Sequence, residues 1–198
     1  MELPIFPLNG AVLFPDTNLP LNIFEKRYLE MVDYALARDR CIGMIQTDTN
    51  NQLYNIGCVG KINNFNETND GRYLISLQGI NCFKIIKELN QTYNFRMVDA
   101  KVIDNHSSSN ILFSAKQKKE LFNIYKKYVA AKEINLNLEE LETIELPQIV
   151  KFIPMISPFK NEDKQVLLET KNLVEFYKKL ISILELEIMA DFSNKTIN

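Results

Sequence analysis

The chain has 198 residues, 46% of them hydrophobic and 24% charged, with a formal net charge of −2. That size buries a core without staples, and the balance is that of a folded globular protein. A slightly acidic chain lacks the basic footprint of a nonspecific nucleic-acid binder, and no apolar run reaches the ~18 residues that span a bilayer.

In chain order, Leu3–Leu8 alternates apolar residues with proline, which predicts an edge strand or an extended segment, since proline cannot donate to a ladder. Asn9-Gly10 marks a turn. Ala11–Phe14 is a short apolar run stopped by Pro15-Asp16. Apolar residues spaced three and four apart predict a helix from about Phe24 to Arg38, followed by a buried strand at Cys41–Ile45. Val59–Phe65 and Tyr73–Leu77 flank Asn69-Asp70-Gly71, a hairpin signal. Cys82–Leu89 and Tyr93–Ile103 are the last two predicted strands, joined by a turn at Asn90-Gln91-Thr92.

The polar stretch 105–110 reads as a linker. Helices are predicted at Ser114–Lys132, at Gln148–Ile156 behind Pro147, and after the acidic start Asn161-Glu162-Asp163. A final helix carries Leu173, Tyr177, Leu180, Leu184 and Ile188 on one stripe. Strands in one half and helices in the other give an α+β expectation: a β-rich lobe with one helix over 1–104, a linker at 105–110 and a helical bundle lobe over 111–198.

Several chemistries find no footing in the residues. Gly57-Cys58-Val59-Gly60-Lys61-Ile62 is too short for a phosphate loop and lacks the Ser or Thr after lysine, so it reads as a glycine-bearing strand. His106, the single histidine, falls in the polar linker, where nothing holds a catalytic base in place. Glu139-Glu140 and Glu162-Asp163 complement helix starts. Cys41, Cys58 and Cys82 have no metal-ligand spacing and read as buried thiols in a reducing compartment. The start Met1-Glu2-Leu3-Pro4 lacks the basic and apolar regions of a signal peptide. No catalytic, cofactor or metal site is expected, and the expected location is the cytoplasm.

One pattern is more specific. Leu3-Pro4-Ile5-Phe6-Pro7-Leu8 is followed by Val12-Leu13-Phe14-Pro15 and by Leu19-Pro20-Leu21-Asn22-Ile23-Phe24-Glu25-Lys26-Arg27-Tyr28. It resembles the opening signature of the N-terminal domain of Lon-type proteases. Ile42-Gly43-Met44-Ile45, Gly57–Ile62, the run from Asp70 to Ile85, Leu146-Pro147 and Asp163–Glu169 extend the similarity over nearly the whole chain.

The resemblance implies a PUA-like pseudobarrel lobe followed by a helical lobe, and recognition of substrate proteins. It stops short of the ATPase and protease modules, so a stand-alone, non-catalytic protein-binding module is expected. Its expected partners are unfolded or substrate proteins, and a protease or chaperone. Leu13, Phe14, Leu19, Phe24 and Phe65 are the candidate apolar contacts, with Arg27 and Tyr28 beside them; ordinary core is the competing reading for the apolar residues, and an ion pair with a buried ring for Glu25, Arg27 and Tyr28. The alternative, RNA binding by a PUA-like fold, rests on fold analogy and is disfavoured by the net charge.

Overall fold

The computed structural model describes residues 1–90, 92–104 and 113–196, with side chains described as far as Asp191. The expected linker at 105–110, with His106, lies outside the described residues, as does Gln91 of the expected turn. The chain divides into two compact units. The first holds six strands, one helix near the N-terminus and residues Phe159–Glu169; the second holds the remaining helices.

The first unit is a mixed sheet of β1 (Glu2–Pro7), β2 (Asn18–Ile23), β3 (Cys41–Ile45), β4 (Ile56–Glu67), β5 (Tyr73–Leu89) and β6 (Arg96–Ile103). Its order is β2-β5-β4-β3-β1-β6, and β5 also pairs with β6. That pairing closes β5-β4-β3-β1-β6 into a ring, the pseudobarrel implied by the resemblance. β1 and β3 run parallel and every other pair is antiparallel.

Closure depends on the length of β5. Its first half, Tyr73–Gln78, pairs with β2, and its second half, Cys82–Leu89, pairs with β6. The two strands expected from the sequence are therefore one. Gly79 carries the backbone through the gap between them. A Cβ there would collide with the carbonyl oxygen of Phe14, so only glycine lets the 13–17 segment lie this close. Gly71, at φ +78, supplies the tight turn between β4 and β5. Inside the ring, Leu3, Ile5, Ile45, Val59, Phe83, Val98 and Ala100 form one buried cluster.

Helix α1 (Lys26–Leu36) buries Tyr28, Met31, Val32 and Ala35, the face its periodicity predicts. The helix α5 (Asn161–Leu168) groups with the strands, whereas the sequence reading placed it in the helical lobe. Helical periodicity reports a buried face but not the partner that buries it. That partner is polar as well as apolar here. The Lys164 ammonium donates to the Gly10 carbonyl (2.9 Å), the Gln165 amide donates to the Ile56 carbonyl (3.0 Å), and Asn161 bonds Asn9. Burial lowers the pKa of Lys164.

The second unit contains α2 (Ala115–Ala131), the short α3 (Leu138–Glu142), α4 (Leu146–Ile156) and α6 (Leu173–Thr196). A reciprocal cap starts α2: the Gln117 N–H donates to the Ser114 hydroxyl, and the Ser114 N–H to the Gln117 side chain. Leu121, Tyr125 and Tyr128 of α2, Ile149 and Ile153 of α4, and Phe176, Leu180 and Leu184 of α6 are buried in it. The predicted stripe on α6 is buried as far as Leu184; Ile188 is half-buried.

Candidate functional site

The apolar segment Val12–Phe24 has two fates in the first unit. Leu13 and Phe14 are fully buried, at 1% and 0% exposure. The Thr17 hydroxyl donates to the Phe14 carbonyl (2.8 Å) and accepts from the Phe14 N–H (3.3 Å). The Asp16 N–H, on a backbone at φ 64, donates to the Gly79 carbonyl (2.9 Å). Leu13 and Leu77 both lie close over Gly60. Of the two readings open for Leu13 and Phe14, binding contact or core, their burial matches core, because a tight turn drives both inside.

From Asn18 onward the segment becomes β2, and among the described strands β2 alone has a neighbouring strand on one side only. The phase of its ladder follows from one bond. Just beyond the Asn18–Gln78 pair that opens the ladder, Gly79 donates to the carbonyl of Thr17 (2.8 Å). Antiparallel ladders alternate, so Leu19, Leu21 and Ile23 turn their backbone groups toward β5, while Asn18, Pro20 and Asn22 turn theirs to the open edge. Pro20 thus sits where its missing N–H costs the sheet nothing. The open edge presents three carbonyls but only two N–H groups, those of Asn18 and Asn22. No charged side chain lies within β2.

The inner face of β2 continues an apolar surface. Register places Leu21 opposite Ile75, and Ile75 opposite Phe65, in one row across three strands. Leu19 and Leu21 are half-buried, and Phe65 is 40% exposed with its ring edge-on to Tyr73 at 5.0 Å. Burial and the Asp33 carboxylate push the Tyr73 hydroxyl's pKa up. Phe24, immediately beyond β2, is 66% exposed. It lines a cavity of about 250 Å³ with Phe6, Leu8, Leu21, Ile23 and Tyr28.

The start of α1 divides likewise. Arg27 pairs with Glu25 (2.8 Å) on the surface and lies 4.4 Å over the Tyr28 ring. Tyr28 is buried, with its ring centroid 4.3 Å from that of Phe6. Burial is the main cause that pushes its hydroxyl's pKa up, while Arg27 opposes the shift. Arg27 and Tyr28 also line a cavity of about 360 Å³ of mixed character, with Asn9, Asn94 and Arg96 beside Pro7 and Phe95. Arg96 is held there by the Glu88 carboxylate through two bonds of 2.7 Å.

Of the expected contacts, the structure gathers Phe24 and Tyr28 around one cavity, sets Leu19 and Phe65 on the adjoining face, and leaves Arg27 at the surface. The sequence reading omitted Leu21, Tyr73 and the open edge of β2. The alternation of Leu19, Leu21 and Ile23 between polar or proline positions was the available signal for them. Among the described residues, no group of His, Cys, Asp and Glu is arranged to hold a metal, and no helix is long and apolar enough to cross a membrane. Cys41, Cys58 and Cys82 are free thiols. Cys58 and Cys82 are buried, whereas Cys41 is half-buried, its pKa pushed up by burial and by Asp39.

The family model for the substrate-binding domain of ATP-dependent protease La (LON) matches residues 2–185. The chain belongs to the Lon substrate-binding domain family. Among its relatives, a Lon protease of Dictyoglomus thermophilum is 25% identical over 209 residues, covering 99% of this chain and 26% of that protein. One of Desulforamulus reducens is 27% identical over 204 residues, covering 95% of this chain and 24% of that protein. The chain thus spans about a quarter of the length of these Lon proteases. The Lon N-terminal domain protein of Xanthomonas campestris superposes with a TM-score of 0.67 at 17% identity, covering 92% of this chain and 98% of that one. The N-terminal domain of the Mycobacterium avium complex Lon protease gives 0.69 at 15%, covering 93% and 98%. Both share the fold.

Proposed function

We propose that this Lon-family domain is a non-catalytic protein-binding module that holds unfolded protein segments along β2. The observation that carries the reading is the junction of an open, uncharged strand edge with partly exposed apolar side chains, Leu19, Leu21 and Phe65, and a cavity walled by Phe24. An extended segment adds to such an edge through its backbone, which is indifferent to sequence, while neighbouring apolar side chains reward alternate positions in the guest. The family's description as a substrate-binding domain supports the reading.

The partners on this reading are unfolded or substrate proteins in the cytoplasm, with a protease or chaperone receiving them. The three free thiols suit a reducing compartment. No chemical step is part of the role: the purified chain is expected neither to hydrolyse ATP nor to cleave casein. The test is titration of a fluorescent, chemically unfolded and thiol-blocked model protein. The unfolded form should bind and the native form should not. Equal binding of the two, or ATPase activity that a point substitution in the chain abolishes, refutes the proposal.

A further inference from the structure

One end of the strand ring gathers hydrogen-bond donors that binding along β2 leaves unused. Register fixes which residues meet there. β1 runs parallel to β3, pairing Pro7 with Ile45, and antiparallel to β6, pairing Ile5 with Arg96. The end of β1, the exit of β3 and the start of β6 therefore lie side by side, and the first turn of α1 adjoins them. Between these segments is the cavity of about 360 Å³, whose polar wall includes Asn9, Arg27, Thr47, Asn94 and Arg96. No Asp or Glu is among its described lining residues.

The acids nearby leave this wall cationic. Arg96 spends Nε and Nη2 on Glu88, and Arg27 spends Nε and Nη2 on Glu25. The Nη1 of each guanidinium stays unspent among the described residues. The Tyr28 hydroxyl registers the resulting field. Burial pushes its pKa up, but among the charges around it Arg27 and Arg96 favour the anionic form and Glu25 alone opposes them. The start of α1 adds its partial positive charge, with no acid in the first turn and no side-chain cap. Thr47 is a second, independent sign. It is 8% exposed and lines the cavity, and its hydroxyl has no hydrogen-bond partner among the described residues. A buried hydroxyl without a partner is costly, and a ligand in the cavity supplies one.

We infer that this cavity holds a carboxylate of a bound protein segment. The two Nη1 groups and the Thr47 hydroxyl donate to the carboxylate oxygens. The Asn94 amide nitrogen is spent on Glu30 (2.7 Å), so its carbonyl oxygen is left to accept a backbone N–H of the guest. Each arginine already shares its charge with one acid, so the wall suits a single negative charge better than the double charge of a phosphate. Ligand sites run from roughly 300 to 1,000 Å³, and this one is at the small end, sized for one side chain or one chain end. Tyr28 is common to this cavity and to the one walled by Phe24, so the two adjoin. The inference rests on the reading of β2 as the guest's edge and adds which group of the guest is recognised.

The test uses three fluorescent peptides of one sequence with alternate apolar residues: a free acid, an amide, and an amide ending in glutamate. Each is titrated against the whole chain at matched ionic strength. A carboxylate-bearing peptide should bind on the order of tenfold more tightly than the plain amide, the scale of one charge-assisted hydrogen bond. Preference for the free acid assigns the site to a chain end, and preference for the glutamate assigns it to a side chain. In Arg96→Gln and in Thr47→Val the preference should fall toward one. Thr47→Val should melt no lower than the unsubstituted chain, because the hydroxyl it removes has no partner to lose, so it serves where Arg96→Gln disturbs folding. Equal binding of the three peptides overturns the inference while leaving the β2 reading intact. A carboxylate preference that survives both substitutions overturns it too, as does inorganic phosphate displacing the peptide more effectively than acetate. If no peptide binds up to millimolar concentration, the β2 reading falls and this inference with it.

Discussion

Val12–Pro15 and Leu19–Phe24 are neighbours in sequence, similar in composition, and each interrupted by proline. One is core and the other is surface. The first is pinned by the Thr17 hydroxyl and by the Asp16–Gly79 bond, which fold Leu13 and Phe14 into the barrel. The second is pinned on one side only, by its ladder with β5, and keeps an open edge. Apolar content alone therefore does not mark a binding surface. What marks it is backbone held in place by one partner while the other side stays unpaired.

The largest effect should come from breaking the buried half. Phe14→Ser removes a fully buried ring and leaves a hydroxyl in its place, which should cost about 4 kcal/mol of stability in urea unfolding. Affinity per folded molecule for an unfolded protein should stay unchanged. Intact stability with lost binding would put Phe14 at the surface and dissolve the contrast. Gly79→Ala attacks the same half from its other side. The new methyl meets the Phe14 carbonyl, so a loss of about 2 kcal/mol is expected. A melting temperature equal to that of the unsubstituted chain would mean that the 13–17 segment moves aside freely.

Much of this was legible beforehand, and the exceptions have physical causes. The hairpin at Asp70-Gly71, the face of α1 and the α+β division follow from local signals, namely turn chemistry and periodicity. The membership of α5 in the first unit does not, because nothing local to Lys164 and Gln165 signals the carbonyls of Gly10 and Ile56 that they bond. The fate of Leu13 and Phe14 is equally nonlocal, since it depends on Gly79, more than 60 residues away. Phe24 and Phe65 were legible as apolar candidates, but their exposure is set by strand register, which no window of sequence contains.

A smaller effect should come from the exposed half. Phe24→Ser should lower affinity for an unfolded protein about tenfold, the scale of one aromatic anchor. Stability should shift by no more than about 0.5 kcal/mol, because the ring is mostly in water already. Phe65→Ser tests whether the row across β4 and β5 belongs to the same surface, and a loss of roughly threefold is expected, its ring being less exposed and partly spent on Tyr73. Loss of stability without loss of affinity in either variant would return that residue to the core class.

The finest test concerns the backbone edge itself. Pro20 points its nitrogen away from β5, so the edge lacks one donor at its centre. Pro20→Ala restores that N–H without touching the apolar row. If guests add to β2 as a strand, the new donor finds a guest carbonyl, and affinity should rise by about 1 kcal/mol, the net worth of one hydrogen bond. Folding stability should fall slightly, by roughly 0.5 kcal/mol, because alanine frees the unfolded chain. Opposite signs for binding and stability are the signature, since a general change in the quality of folding moves both the same way. The same donor also completes an edge that two copies of the domain can share, and light scattering against concentration separates self-association from guest binding. Unchanged affinity would mean that guests are held by Phe24 and its neighbours alone, with the open edge of β2 uninvolved.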